Sequence, residues 1–178
     1  MIKQFFSLTF ITISLFSYSQ QTIPVDEETK QALITEVIEV SGATQAELYD
    51  RAMVWINKFY PNPTGFIQSK DPATGEIVGK AQFRITSTDK KGTESFDGMV
   101  GYTIKLNFKD GKFKYEISKI NWKQASYYDV SKWMNTKDQY YKEVYQGYLQ
   151  QTNTYFDNLK ADLKKAVKSP PAKKKDDW

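Results

Sequence analysis

Two absences limit the side chains that could carry out chemistry in this chain. The sequence contains no histidine and no cysteine. Zinc sites of thiolate or imidazole type, nucleophiles activated by histidine and haem ligation by either residue are therefore excluded. An all-oxygen calcium or magnesium site would remain open, but the sequence has no D-x-D-x-D-G ladder. The sequence therefore predicts no metal and no cofactor.

Carboxylates are the first remaining candidates for catalysis. Asp71 begins the hairpin turn "DPATG" and Glu76 follows it, Glu94 and Asp97 lie in a predicted polar loop at 89–98, and a further acidic cluster spans residues 26–28. Paired carboxylates hydrolyse glycosides when a pocket holds them about 5 to 10 Å apart. Nothing in this spacing indicates a pocket, and an aspartate before a proline is typical of a turn. We therefore predict no catalytic residue.

Tyrosines are the second group, concentrated in "YYKEVYQGYLQQTNTYF" (residues 140–156). At helical spacing, Tyr141, Tyr145, Tyr148 and Tyr155 fall on one face, whereas Tyr140 points away. A stripe at this spacing is usually packed inside a protein. Because a tyrosine hydroxyl tolerates water, the stripe could also leave one edge for a partner.

The N-terminal sequence "MIKQFFSLTFITISLFSYSQ" has the pattern of a signal peptide. Lys3 precedes an apolar run that ends at Phe16, and small residues stand at the positions before Gln20. The run is too short to span a bilayer, and no cysteine follows it for lipid attachment. We expect cleavage before Gln20 and export to the periplasm or the extracellular space, not as a lipoprotein.

Composition and charge divide the rest of the chain. We predict a lead-in segment at 20–31, a folded domain at 32–123, a helical region at 124–168 and a disordered charged tail at 169–178. Basic and acidic residues balance up to Lys123, so the net charge of +4 arises mainly from the C-terminal part. Such a basic tail could touch anionic surfaces, although charged runs are more often simply solvated.

The sequence pattern within the domain predicts a strand at 32–40, then a helix, then four strands. Thr44 and Glu47 have capping-box spacing, and Pro61 and Pro63 end the helix. The apolar parity of the last strand changes after Ser118, which predicts a bulge or the strand's end there. One face of the sheet should be polar and mostly basic; its members are Lys80, Gln82, Arg84, Thr86, Thr103, Lys105, Asn107, Lys112, Lys114 and Glu116.

A helical phase runs from Tyr141 to Ala166. One helix of that extent would be about 40 Å long at 1.5 Å per residue, which exceeds the width of a small domain. Gly147 weakens it, and Asn153 or Thr154 could cap a new helix. We therefore expect the helix either to break near residue 152 or to overhang the domain.

The segments "EVIEVSGATQAELYDRAMVWI", "GKAQFRI" and "GMVGYTIKLNFKDGKFKYEISKINW" resemble an exported bacterial domain-of-unknown-function family with a TATA-binding-protein-like (TBP-like) fold. The resemblance covers roughly residues 25–122 and lies in aromatic, aliphatic and turn positions. It implies an α+β fold of strand, helix, four antiparallel strands and helix, with the helices on one face of a twisted sheet and a C-terminal helical extension. The family has no assigned activity, so no functional residue is carried over.

These observations favour an exported, non-enzymatic binding domain whose partner is a protein or another envelope component. The residues predicted for its interaction surface are Lys80, Arg84, Lys105, Lys114, Tyr140, Tyr148 and Tyr155. The alternatives are an envelope hydrolase that uses carboxylates and a polyanion or membrane-surface binder that uses the basic tail. The transcription factor with this fold drives apolar wedges into the minor groove. Since the polar face predicted here has no phenylalanine, nucleic acid is not the expected partner. Oligomeric state is not predicted.

Overall fold

The computed structural model describes residues 22–123 and 126–169. The predicted signal peptide and the predicted charged tail beyond Ser169 lie outside the described residues. The strands are β1 (Ile34–Glu39), β2 (Ile67–Asp71), β3 (Glu76–Thr88), β4 (Glu94–Lys109), β5 (Lys112–Lys123) and β6 (Tyr127–Asp129); the helices are α1 (Gln45–Phe59), α2 (Pro63–Phe66) and α3 (Val144–Lys168), with a 3₁₀ turn at Val130–Met134.

The strands form one antiparallel sheet in the order β1-β5-β4-β3-β2. β1 pairs with the first half of β5, and the short β6 pairs with its last residues along the same edge. Helices α1 and α3 contact each other and pack on the same face of the sheet. The predicted α+β architecture, with helices on one face, is confirmed.

Helix α1 begins at the predicted capping box. The Glu47 amide donates to the Thr44 hydroxyl at 3.3 Å, and the Thr44 amide donates to the Glu47 carboxylate at 2.8 Å. Leu48, Trp55 and Ile56 are buried on the face toward the sheet. The helix ends at Phe59, before the two prolines, as the sequence predicts.

Alternation along the strands separates the two faces of the sheet. In β4 the residues Val100, Tyr102, Ile104, Leu106 and Phe108 are buried beneath the helices. Their neighbours in sequence face the opposite side, where no helix of the described residues packs. One face therefore carries the core and the other is open.

Two bulges shift this alternation. In β5, Lys119 and Ile120 together stand opposite the single residue Tyr102, at the parity change predicted from the sequence. In β4, Asp97 is the extra residue, and it turns Phe96 toward the open face. Phe96 is 57% exposed. The prediction that this face has no phenylalanine is therefore wrong, because residues 94–98, which the sequence assigned to a polar loop, belong to β4, and the bulge at Asp97 places Phe96 on this face.

Helix α3 is continuous, so the predicted break near residue 152 is wrong. Thr152 is fully buried, and its hydroxyl donates to the Tyr148 carbonyl at 2.7 Å instead of capping a new helix. The helix does not overhang either. Leu159, Leu163 and Val167 are buried to the end because α1 extends the surface that they cover.

The lead-in segment belongs to the core. Ile23 is 2% exposed, and its amide points to the sulfur of Met134 at 3.2 Å. Val25 forms a bridge with Ala32, which is also buried. The folded part therefore starts earlier than residue 32, where the sequence placed it, because this short loop closes the edge of the sheet next to β6.

Candidate functional site on the uncovered sheet face

The open face has one half with paired charges and another half, around the β5 bulge, in which the lining of a cavity contains no carboxylate. In the first half, Lys105 contacts Glu76 at 2.7 Å and Lys114 contacts Glu116 at 3.8 Å. The hydrogen bond from Lys105 holds the pKa of the Glu76 carboxyl below its ordinary value. These cations are neutralised locally and lie at the turn end of the strands.

The second half surrounds the β5 bulge. Lys119 has a φ of 52°, a left-handed conformation that few residues other than glycine adopt. Its carbonyl accepts a hydrogen bond from the Asn121 side-chain amide at 2.7 Å. The bulge therefore fixes the position where the Lys119 side chain leaves the sheet.

Gly101, opposite Asn121, makes room for a second lysine. A Cβ atom at Gly101 would lie 2.5 Å from Cε and 3.1 Å from Nζ of Lys123, so the Lys123 side chain crosses the sheet directly over this glycine. Lys80 reaches the same area from β3, where it pairs with Thr103. Three strands thus bring lysines and polar side chains to one place.

Between them lies a shallow cavity of about 390 Å³. Its lining residues are Lys80, Ala81, Gln82, Tyr102, Thr103, Lys119, Asn121, Lys123 and Tyr127. None of these is acidic. The cavity therefore presents three lysines together with amide and hydroxyl groups, a composition suited to an anion.

Asp129 lies on the neighbouring strand β6, but the hydrogen bonds of its carboxylate go to groups other than these lysines. It is 4% exposed, and one carboxylate oxygen accepts from the amides of Ala32 and Ser131 at 3.0 and 2.9 Å. The other accepts from the Tyr127 hydroxyl at 3.1 Å. Burial and the nearby Asp129 charge raise the pKa of Tyr127 to about 12. The Tyr127 ring, 50% exposed, is held beside the cavity by this bond.

The structure separates the lysines predicted for the interaction surface. Lys80 lines the cavity. Arg84 lies on the same face, with its guanidinium carbon 4.9 Å from the centre of the Phe96 ring. Lys105 and Lys114 belong to the paired half.

The predicted tyrosines do not join these lysines. Tyr148 is 5% exposed, with its ring centre 5.4 Å from that of Trp133, so the prediction that it contributes to a surface is wrong. Tyr155 is half-buried on α3, on the covered face, and stacks on Phe83 at 4.0 Å. Tyr140 is 75% exposed in the turn before α3. Packing, rather than a ligand, accounts for most of the tyrosine stripe.

A chain of three tyrosine hydroxyls runs through the core. Tyr102 lies 3.1 Å from the hydroxyl of Tyr60 and 2.9 Å from that of Tyr155. Burial raises the pKa of all three phenols. They therefore stay protonated at neutral pH and act as hydrogen-bonding groups rather than as bases or nucleophiles.

The carboxylates considered for catalysis serve local structure. Asp71 accepts from the Ala73 amide at 2.9 Å and the Thr74 hydroxyl at 2.8 Å, and these bonds lower the pKa of its carboxyl. Glu76 is paired with Lys105. Within residues 22–123 and 126–169, no group of three acidic side chains is placed to hold a metal ion.

A larger groove of about 540 Å³ lies between α1 and α3, but its charges are balanced. Three acidic residues face three basic ones; they are Glu47, Asp50 and Asp162 against Arg51, Lys58 and Lys165. The indole nitrogen of Trp55 is already bonded to Asp162 at 3.0 Å. The groove therefore has no charge preference comparable to that of the sheet cavity.

Sequence reasoning missed four residues of the cavity, namely Lys119, Asn121, Lys123 and Tyr127. The parity change after Ser118 was a usable signal, since a bulge re-aims side chains and is common beside functional sites. It could not show that Lys123 and Tyr127 share a face, because β6 is too short to predict from alternation.

Comparison with known proteins agrees with this fold. Residues 35–123 match the model of a domain of unknown function, DUF4468, described as having a TBP-like fold. The chain belongs to the DUF4468 family. A DUF4468 family protein from Bacteroides ovatus has a crystal structure similar to this domain, with a TM-score of 0.64 and 21% identity over 82% of this chain and 91% of that one. The structural match therefore extends beyond the residues that the family model covers.

The crystal structure of a TBP-like protein from Parabacteroides distasonis is similar to this chain with the same TM-score of 0.64 and 13% identity. The match covers 79% of this chain and 94% of the Parabacteroides chain. At these identities the likeness concerns the fold. No curated protein matches the sequence. In the part of the chain that the structure describes, no helix is long and apolar enough to cross a membrane.

Proposed function

We propose that this DUF4468 protein is an exported, non-enzymatic binding domain that receives an envelope component on the uncovered face of its sheet. The observation that carries the proposal is the arrangement of that face. No helix of the described residues covers it, and around the β5 bulge it holds Lys80, Lys119 and Lys123 without a carboxylate in the lining. A surface of this kind attracts negatively charged partners and orients them.

Binding fits the chemistry better than catalysis does. The phenols of the core are held protonated, and Asp71 and Glu76 are committed to a turn and to an ion pair. Export is proposed from the sequence, because Lys3, the apolar run and the small residues before Gln20 have the order of a signal peptide.

Two experiments test the two parts of this proposal. For export, residues 1–25 are fused to a reporter enzyme that is active only outside the cytoplasm, and Phe10→Lys, which interrupts the apolar run, is the matched control. Reporter activity that disappears in the control supports export. Equal activity in both fusions, or none in either, contradicts it.

For binding, a photo-reactive amino acid replaces Thr103, which lies on the open face, and in a second variant Ala161, which is exposed on α3. Irradiation in envelope extract should give a cross-linked species at position 103 that is absent at position 161. Identical products at both positions, or none at 103, would contradict the open face as the binding surface.

A further inference from the structure

We infer that the cavity at the β5 bulge, here called the bulge cavity, binds an anionic saccharide, meaning a sugar chain that carries carboxylate, sulfate or phosphate groups. The inference deepens the proposed function, since it rests on the open face being the binding surface. In such a ligand the oxyanions would bind the lysines, the hydroxyl groups would bind the side-chain amides, and the sugar ring would pack on the exposed aromatic ring.

The lysines point to an oxyanion. Three ammonium groups line one cavity in which no carboxylate takes part, whereas Lys105 and Lys114 on the same face each have a glutamate partner. Placing like charges together without counter-charges is unfavourable unless something else balances them. An oxyanion of the ligand would supply that balance through charge-assisted hydrogen bonds.

The backbone indicates that the cavity is built and is not an accident of surface lysines. Lys119 adopts a left-handed conformation that is strained for a residue with a Cβ, and Asn121 holds its carbonyl. Strain of this kind concentrates at ligand sites. Gly101 leaves the space that the Lys123 side chain occupies as it crosses to the cavity, since a Cβ there would lie 2.5 Å from its Cε. The bulge and the Asn121 amide fix the backbone of Lys119, and Gly101 makes room for Lys123, so the local structure directs two of the three lysines.

Size and neutral groups point to a sugar and not to a bare ion. The cavity of about 390 Å³ is within the range of small-molecule sites, roughly 300 to 1,000 Å³. One water occupies about 30 Å³, so the cavity has room for many waters. A free phosphate or sulfate, which is only a few times the size of a water, would therefore fill only a small part of it. Gln82 and Asn121 can each donate to and accept from a hydroxyl. The Tyr127 ring, fixed through Asp129, offers an apolar surface for the C–H groups of a sugar ring.

A titration of the full chain without its signal peptide tests the inference. The ligands are short oligosaccharides of uronic acid, their sulfated and phosphorylated counterparts, and a neutral oligosaccharide of equal length. Amide and side-chain NMR shifts and calorimetry give the affinity. We expect at least one anionic saccharide to bind and shift the signals of Lys119, Asn121 and Lys123, and the neutral one not to bind. The three anionic ligands distinguish the source of the charge.

Variants connect the affinity to the cavity. Lys119→Gly removes one cation and suits the left-handed backbone, and Lys123→Gln removes a second without changing the fold. The double variant should bind about tenfold or more weakly, because two charge-assisted contacts are lost. Lys112→Gln, at the far end of the same face, is the matched control and should bind as the native chain does.

Several outcomes would overturn the inference. Poly-glutamate binding as tightly as the saccharides would show a site for charge alone, and preferential binding to vesicles of anionic phospholipid would show a membrane-surface site. Loss of affinity in Lys112→Gln equal to that in the double variant would show diffuse attraction. If no saccharide binds while Thr103 still cross-links to an envelope protein, the saccharide inference fails and the proposed function stands.

Discussion

Lys119 is the residue whose conformation and proposed role are most closely connected. A left-handed backbone costs about 1–2 kcal/mol for a residue with a Cβ, and glycine avoids that cost but gains about 0.5–1 kcal/mol of unfavourable folding entropy. Lys119→Gly should therefore change the free energy of unfolding by less than about 1 kcal/mol. Lys119→Val should lower it by about 1–2 kcal/mol, because branching at Cβ makes a φ of 52° still less favourable.

Urea unfolding followed by tryptophan fluorescence measures both variants. A valine variant as stable as the glycine variant would mean that the bulge relaxes and that Lys119 is not held by the backbone. In that case the lysine cannot be regarded as aimed into the bulge cavity.

At the scale of elements, one carboxylate joins two strands and a helix. Glu36 on β1 accepts from the Tyr115 hydroxyl of β5 at 2.5 Å and pairs with Lys164 of α3 at 2.6 Å. The hydrogen bonds from Lys164 and Tyr115 hold the pKa of Glu36 below its ordinary value of 4.5. Its stabilising effect is therefore present above pH 4.5 and is lost as the pH falls through the lowered pKa.

Glu36→Gln should flatten this part of the acid dependence of stability. Thermal unfolding between about pH 6 and 2 measures it, with Glu39→Gln as the control, since Glu39 also lies on β1 but has none of these partners in the described structure. Equal flattening in both variants would contradict a specific role for Glu36.

Two glycines test how tightly each element is packed. Gly147 on α3 has open space where a Cβ would go, so Gly147→Ala should stabilise the protein by about 1 kcal/mol through helix propensity.

Gly79 on β3 lies directly under the Phe66 ring, which an added Cβ would meet. Gly79→Ala should destabilise by about 1–3 kcal/mol. Calorimetric unfolding gives both signs, and a loss of stability in Gly147→Ala would contradict the open environment.

Element by element, prediction from sequence succeeded where the pattern is local. The capping box at Thr44, the alternation along β4 and the parity change after Ser118 each depend on near neighbours, and all three are confirmed. It failed where distant packing decides. Thr152 stays within a helix because α1 buries the residues that follow, and Phe96 faces outward because Asp97 is a bulge.

The candidate site was half predictable for the same reason. Alternation placed Lys80 on the open face, since its strand is regular. Lys123 and Tyr127 become neighbours only through the pairing of β5 with β6, which no local pattern encodes. Alternation also placed Lys105, Lys114 and Glu116 on this face, but it could not show which glutamate each lysine pairs with.

For the molecule as a whole, α3 is part of the folding unit although it lies outside the residues of the family match. Phe156 of α3 packs on Phe83 and Tyr102, with ring centres 5.8 and 5.2 Å apart. Near its end, the Val167 carbonyl accepts from Arg51 at 3.1 Å. Removing α3 would therefore expose the part of the sheet's core that α3 covers, around Phe83 and Tyr102, together with the face of α1 that packs on it.

A chain of residues 22–143 should accordingly fail to unfold cooperatively, because the apolar surface that α3 covers would be open to water. A chain of residues 22–169, which keeps every described residue, is the control and should unfold in a single transition. Circular dichroism on heating and the dispersion of NMR signals measure both chains. A sharp transition in the shorter chain would mean that the region of the family match folds alone and that α3 is an addition to it. None of the residues that line the bulge cavity belongs to α3, so failure of the shorter chain would also show that this cavity depends on a helix that packs on the opposite face of the sheet.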